Sequence, residues 1–153
     1  MSLKDIDLKI CAALQQNARL SLSEIADQIG SSVPTVSDHV KRLESDGVIS
    51  GYHMHLDPTA VGLDVGAFIL VDIDSSMNYD AFRKHCRARP EVLEVHAVTG
   101  SASHLIKVRT ANTAALENLL SAIQRWKGVT RTHTNVILST HKESSILPLK
   151  NME

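Results

Sequence analysis

The sequence predicts an α+β chain in two parts, a winged helix-turn-helix followed by a ferredoxin-like βαββαβ module. Three observations predict it. Apolar residues recur at helical spacing through the first third of the chain, with a Gly turn between the second and third helical stretches. Asp57-Pro-Thr-Ala-Val-Gly62 then forms a turn-rich joint. Beyond it, short apolar runs alternate with two helical stripes in the order strand, helix, strand, strand, helix, strand. The expected boundaries are the winged helix-turn-helix over 1–56, a linker over 57–64 and the ferredoxin-like module over 65–153.

The elements follow in order. Ile6, Ile10, Ala13 and Leu14 make the stripe of a first helix that ends near Gln16-Asn17. Ser21 opens the second, and Glu24 three residues on completes a capping box. Leu22, Ile25, Ala26 and Ile29 are its apolar face, and Gly30 breaks it. Ser32 is the N-cap of the third helix, with Pro34 in the first turn, where a missing N–H costs nothing. Val36, Val40 and Leu43 face the core, and Gly47 is a left-handed stop. Val48-Ile-Ser-Gly-Tyr-His-Met-His-Leu56 alternates loosely, as a wing hairpin would.

At about 100° per residue, Pro34, Asp38 and Lys41 lie opposite Val36 and Val40 on the third helix. Thr35 and Arg42 flank one side and Ser37 the other, while His39 falls nearer the buried edge. If this helix enters a major groove, Ser32, Thr35, Ser37, Asp38, Lys41 and Arg42 are the candidate contacts. Lys41 and Arg42 would grip phosphate. Thr35, Ser37 and Asp38 could touch base edges, Asp38 by accepting from a cytosine amino group. Charge argues against a strong grip. Residues 1–60 hold five Lys/Arg against eight Asp/Glu, and the whole chain is at −1. No global field draws it to nucleic acid or to an anionic membrane, so binding must come from a local patch doubled by oligomerisation.

In the second part, Gly66–Ile73 is a strand. Asn78 caps a helix in which Tyr79, Phe82 and Cys86 share a face, and Pro90 ends it. Val92–Thr99 and His104–Thr110 are strands around the turn Gly100-Ser-Ala-Ser103. Asn112 or Thr113 caps a helix striped by Leu116, Leu119, Leu120 and Ile123. Gly128 closes it, and Val129–Leu138 is the last main strand. Such an order puts both helices on one face of an antiparallel sheet. Phe68 and Leu70 alternate with Ile69 and Val71, so the first strand is apolar on both faces and the bare sheet face calls for a second copy. A homodimer is the least assembly expected. Ile146-Leu-Pro-Leu149 could add to the same interface.

Together these pieces resemble the Lrp/AsnC family, the leucine-responsive or feast/famine regulators of prokaryotes. The resemblance runs nearly end to end. It is carried by Asp7-Leu-Lys-Ile10, Leu14-Gln-Gln-Asn-Ala-Arg19, Glu24-Ile-Ala26, and Ser32 with Val40-Lys-Arg-Leu-Glu44. Gly47-Val-Ile49, Gly51-Tyr52, Leu56-Asp-Pro58, Gly62, Val95 to Gly100 and Gly128-Val129 complete the set. The resemblance implies a sequence-specific, DNA-binding transcriptional regulator that is not an enzyme. It implies dimers joined through their sheets and assembling as far as an octamer. It also implies an amino acid or related metabolite sensed between dimers, at a Gly-x-x-Asp turn followed by an aromatic. The corresponding residues here are Thr99, Gly100, Ser101, Ala102, Ser103 and His104. Ser stands in place of the Asp and His in place of the aromatic, so no carboxylate is offered to an α-amino group. The recognition helix departs too, since the family often carries Arg where Asp38 and His39 stand. Each lost phosphate contact lowers the salt slope by about one. Weak non-specific binding is therefore expected, with specificity resting on the avidity of the assembly.

Other functional classes find less support in the sequence. Eight histidines invite a metal, but none has a tight ligand spacing, and no metal or cofactor is expected. Cys11 and Cys86 read as isolated buried thiols in a reducing cytoplasm. The first residues lack a signal-peptide core and no apolar run has membrane-spanning length, so no membrane partner is expected. An effector-independent architectural DNA-binding protein is one alternative. A sirohaem-decarboxylase-like enzyme is another, though the chain has only scattered His96 and His104 and no aromatic-rich string. No Gly-x-Ser-x-Gly elbow and no phosphate-cradling Gly loop is present.

Overall fold

A computed structural model describes residues 3–149. Helices α1 (Asp5–Gln16), α2 (Leu22–Ile29) and α3 (Val33–Ser45) come first. Their local chemistry is as expected. Ser21 Oγ accepts from Glu24 N–H at 3.2 Å while Glu24 Oε2 accepts from Ser21 N–H at 2.7 Å. Gly30 takes the left-handed φ of 67° that ends α2, a conformation that costs a residue with a Cβ. Ile10, Ile25, Ala26, Val36, Val40 and Leu43 form the buried core of this unit.

The second unit contains β1 (Val65–Ile73), α4 (Tyr79–Arg87), β2 (Val92–Ala97), β3 (His104–Thr110), α5 (Thr113–Gln124) and β4 (Val129–Val136). The sheet order is β2-β3-β1-β4, antiparallel throughout, which is the ferredoxin-like arrangement. Ala67, Ile69 and Val71 lie beside Val108, Ile106 and His104 on the face that packs on the helices, with Phe82, Cys86, Leu116, Leu119 and Ile123. Gly128, at φ 87°, closes α5 into β4, and a Cβ there would stand 2.7 Å from Asn78. The opposite sheet face carries Phe68 and Leu70 of β1, opposite Lys107 and Leu105 of β3 and Asn135 and His133 of β4. Phe68 is 37% exposed and Leu70 half-buried, so this second apolar face of β1 is less covered than the one that packs on the helices.

Several expectations are corrected. Val48–Leu56 contains no strand, so the wing hairpin does not form among the described residues. Tyr52, Met54 and Leu56 all stay exposed, so no buried face exists to fix a strand register. The described residues fall into two compact units, one up to His55 together with the stretch from Lys142 and the other Leu56–His141, and Thr59–Val61 makes a 3-10 turn within the second. The Gln15 side-chain amide donates to Leu147 C=O (3.2 Å) and accepts from Leu147 N–H (2.7 Å), tying Leu147 to α1. Residues 1–2 and 150–153 of the expected domains lie outside the described residues. Asn78 precedes α4 but gives no side-chain cap; its amide donates to Asp74 Oδ1 instead (2.8 Å). Asn112, not Thr113, caps α5, accepting from Ala115 N–H at 2.9 Å. Cys86 is buried and its thiol is pushed up to about 12 by desolvation, whereas Cys11 is only half-buried.

Candidate functional site

The six expected DNA contacts share α3 and its cap but do different work. Ser32 Oγ accepts from Thr35 N–H (3.3 Å) and meets Thr35 Oγ1 at 2.7 Å, so both hydroxyls close the first turn. Thr35 and Ser37 are half-buried, while Asp38 and Lys41 are exposed. Neither Asp38 nor Lys41 forms an ion pair with any described residue. The helix thus shows solvent an uncommitted polar face.

Arg42 is placed differently from expectation. Its Nη2 donates to Asp7 Oδ1 at 2.6 Å, and His39 Nδ1 approaches the same oxygen at 2.6 Å. Arg42 Nη2 and His39 Nδ1 lie 3.1 Å apart. Asp7 Oδ2 accepts from Lys4 N–H at 2.9 Å. A carboxylate only accepts, so the His39 ring donates through Nδ1 and keeps Nε2 for other partners. Asp7 is 1% exposed. Burial acts to raise its carboxyl, but hydrogen bonds from His39, Lys4 N–H and Arg42, with the Arg42 charge, outweigh that and hold it below the ordinary carboxylate range. Neither Asp7 nor His39 is among the contacts expected from the sequence. The signal was present, since Asp7 stands three residues before Ile10 and seven before Leu14, on the stripe that α1 buries. An acid on such a stripe needs a cation opposite it.

The expected effector turn lies between β2 and β3 and is closed by Val98 N–H donating to Ser103 C=O at 3.1 Å. Thr99, Gly100 and Ser101 are exposed, and Ala102 and Ser103 half-buried. His104 departs from the group. It is 2% exposed, packed on the Tyr79 ring (centroids 4.7 Å) and the Phe82 ring (4.9 Å) beneath α4. Ser103 Oγ donates to Val71 C=O at 3.0 Å, and its one proton is then spent. His104 Nδ1–H therefore donates to Ser103 Oγ, also at 3.0 Å. Burial, and secondarily the Arg83 charge, hold the imidazole below its usual range, so it is neutral at pH 7. Where a carboxylate was expected by resemblance, the hydroxyl is committed to the protein itself, and the ring after it belongs to the core.

No group of three or more His, Cys, Asp or Glu suited to a metal gathers among the described residues. No helix among them is long and apolar enough to cross a membrane.

Known proteins similar to this chain agree with these two units. A model of winged helix-turn-helix DNA-binding domains matches residues 3–50, and a model of the Lrp/AsnC ligand binding domain matches residues 66–147. The HTH-type transcriptional regulator FL11 of Pyrococcus horikoshii is 36% identical over 148 residues, covering 97% of each chain. The regulator LrpA of Mycobacterium tuberculosis is 38% identical over 140 residues, covering 91% of this chain and 92% of its own. Among solved structures, a transcriptional regulator of Neisseria meningitidis in complex with L-Met superposes with a TM-score of 0.92 at 28% identity. That likeness covers 99% of this chain and 100% of the other. AsnC of E. coli superposes with a TM-score of 0.87 at 30% identity, covering 97% of this chain and 100% of its own.

Proposed function

The chain belongs to the Lrp/AsnC family of DNA-binding transcriptional regulators, and we propose that it reads duplex DNA with α3 as a homodimer controlled at the Thr99–Ser103 turn. The observation that carries the DNA reading is the uncommitted face of a helix capped at Ser32. Lys41 is the cation for phosphate there, and Thr35, Ser37 and Asp38 meet base edges. Dimers form through the sheet face that bears Phe68 and Leu70, and they assemble further, up to an octamer. The protein acts in the cytoplasm, where the DNA is.

The effector is an amino acid or related small metabolite. The L-Met complex of the Neisseria regulator supports this class. Ser103 cannot supply an anion to an α-ammonium group, so backbone groups of Gly100, Ser101 and Ala102 and the Thr99 hydroxyl hold the ligand. His104 supports the turn from beneath and does not touch the ligand. A thermal-shift screen of the twenty amino acids and related metabolites tests this, because a ligand of the native state stabilises it by mass action. A shift that Gly100→Val abolishes is the expected result. No shift with any compound would favour the effector-independent architectural alternative, for which the committed Ser103 hydroxyl is the specific argument. On the DNA side, Asp38→Asn should change the preferred sequence in selection from a random duplex pool. An unchanged preference would remove Asp38 from the base contacts.

A further inference from the structure

Asp7 is the one described carboxylate buried in the amino-terminal core. It lies on α1, yet two of its three hydrogen-bond partners, His39 and Arg42, come from α3. It is thus a polar pin between the helix that faces the core and the helix proposed to face DNA. Its effect on charge is as specific as its effect on position. A phosphate drawn to the Arg42 guanidinium also meets a carboxylate oxygen 2.6 Å behind it. The pair presents a dipole to solvent, not a free charge. Glu44 is also engaged, accepting from Tyr52 O–H at 3.0 Å. Lys41 is then the cation of α3 with no carboxylate beside it among the described residues.

We infer that Asp7 is a positioning residue for DNA reading, which fixes α3 on α1 through Arg42 and His39 and withdraws Arg42 from phosphate contact. The inference rests on the DNA-reading role of α3 proposed above. It reverses the role that sequence position alone assigns to Arg42. A guanidinium at the edge of a recognition helix reads as a phosphate grip, but here it is the counter-ion of a buried acid.

The test compares the intact protein with its Arg42→Ala, Asp7→Asn and Asp7→Asn/Arg42→Gln variants. Binding is measured over a salt series to two duplexes, one of mixed sequence and one recovered from a random pool by the wild type. A thermal melt accompanies each variant. Arg42→Ala should keep the wild-type salt slope and lose affinity for the selected duplex more than for the mixed one. Asp7→Asn should steepen the slope by about one per protomer, as a freed guanidinium gains a phosphate. It should also lower the ratio of selected to mixed binding. The double variant replaces the ion pair with a neutral hydrogen-bonded pair, and should return the ratio towards wild type at the wild-type slope. A merely structural role would lower melting temperature without moving the slope.

Two results overturn the inference. One is a slope shallower by about one per protomer in Arg42→Ala, which would make Arg42 a phosphate contact. The other is a folded Asp7→Asn with unchanged slope and ratio. Should Asp7→Asn fail to fold, the slope of Arg42→Ala decides alone. A wild type that binds neither duplex would instead refute the DNA-reading role, and the inference would fall with it.

Discussion

In the amino-terminal unit an ionised carboxylate, Asp7, sits among Ile10, Ile25, Ala26, Val36, Val40 and Leu43. In the sheet module the buried titratable group is a neutral imidazole, His104, against Phe82, Tyr79 and the β1 strand. Each is satisfied, but by different means. Asp7 needs a guanidinium, an imidazole N–H and a backbone N–H, because a carboxylate stripped of water is costly unless it is paired. His104 needs one hydroxyl, because its uncharged form is the one that is buried. The smaller core therefore carries a directional clamp that orients a helix. The larger core can absorb a polar ring as filling. Direction is useful where a helix must be presented to a partner. In the module the rigid sheet already supplies it.

The strongest way to break this contrast is to damage the larger core. Phe82→Ala removes a fully buried ring that touches both His104 and Trp126, and should cost about 3–5 kcal/mol. Trp126 is the single tryptophan of the chain and reports on the module alone, so its fluorescence transition measures the loss. A drop under about 1 kcal/mol would show that filling is not what holds this unit.

Acid should separate the two units next. The depressed value of His104 means that the unfolded chain binds the proton first. Its stabilising contribution is present above the ordinary histidine range and is lost as pH falls below it, by at most about 1.4 kcal/mol per pH unit. Asp7 is also depressed, but as an acid. Its contribution is present above the ordinary carboxylate range and is lost only as pH falls through its own lowered value. Between pH 7 and 5 the Trp126 transition should therefore weaken while the protection of the Ile10 and Val40 amides, relative to their intrinsic exchange rates at each pH, holds steady. His104→Phe should flatten the first response. An equal slope in that variant would assign the effect to another group.

The smallest effects compare two turns. Gly30→Ala meets no atom within 4 Å and costs only its left-handed backbone, about 1 kcal/mol. Gly128→Ala carries the same strain and also strikes Asn78 at 2.7 Å, so it should lower the melting temperature further. Equal losses would mean that Asn78 moves aside freely.

Most elements were legible because their signals are local. The capping box at Ser21 and Glu24, the N-cap at Ser32, the left-handed Gly30 and the strand His104–Thr110 all act within a few residues. The wing was misread because alternation alone does not supply a partner strand, and none of Tyr52, Met54 or Leu56 finds a core to face. The tail contact is likewise non-local: a Gln15 amide distant in sequence captures the Leu147 backbone, which composition does not announce. At the site, the wheel put Asp38 and Lys41 on the exposed side, while Thr35 is half-buried. The partners of Arg42 and His104 were beyond its reach.

By itself the sequence determined the element order, the caps, the two apolar stripes and the two-faced first strand. Periodicity and capping are properties of neighbouring residues, and they do not wait on the fold. Only the tertiary structure decided which charges are free. Arg42 and Lys41 are adjacent cations in sequence, but α1 brings Asp7 within 2.6 Å of one and leaves the other in water. Ser103 and His104 are adjacent where the turn enters β3, but the β1 carbonyl of Val71 claims the hydroxyl and α4 covers the ring. Electrostatic character depends on distance and burial across elements, and those are set when the helices and strands pack.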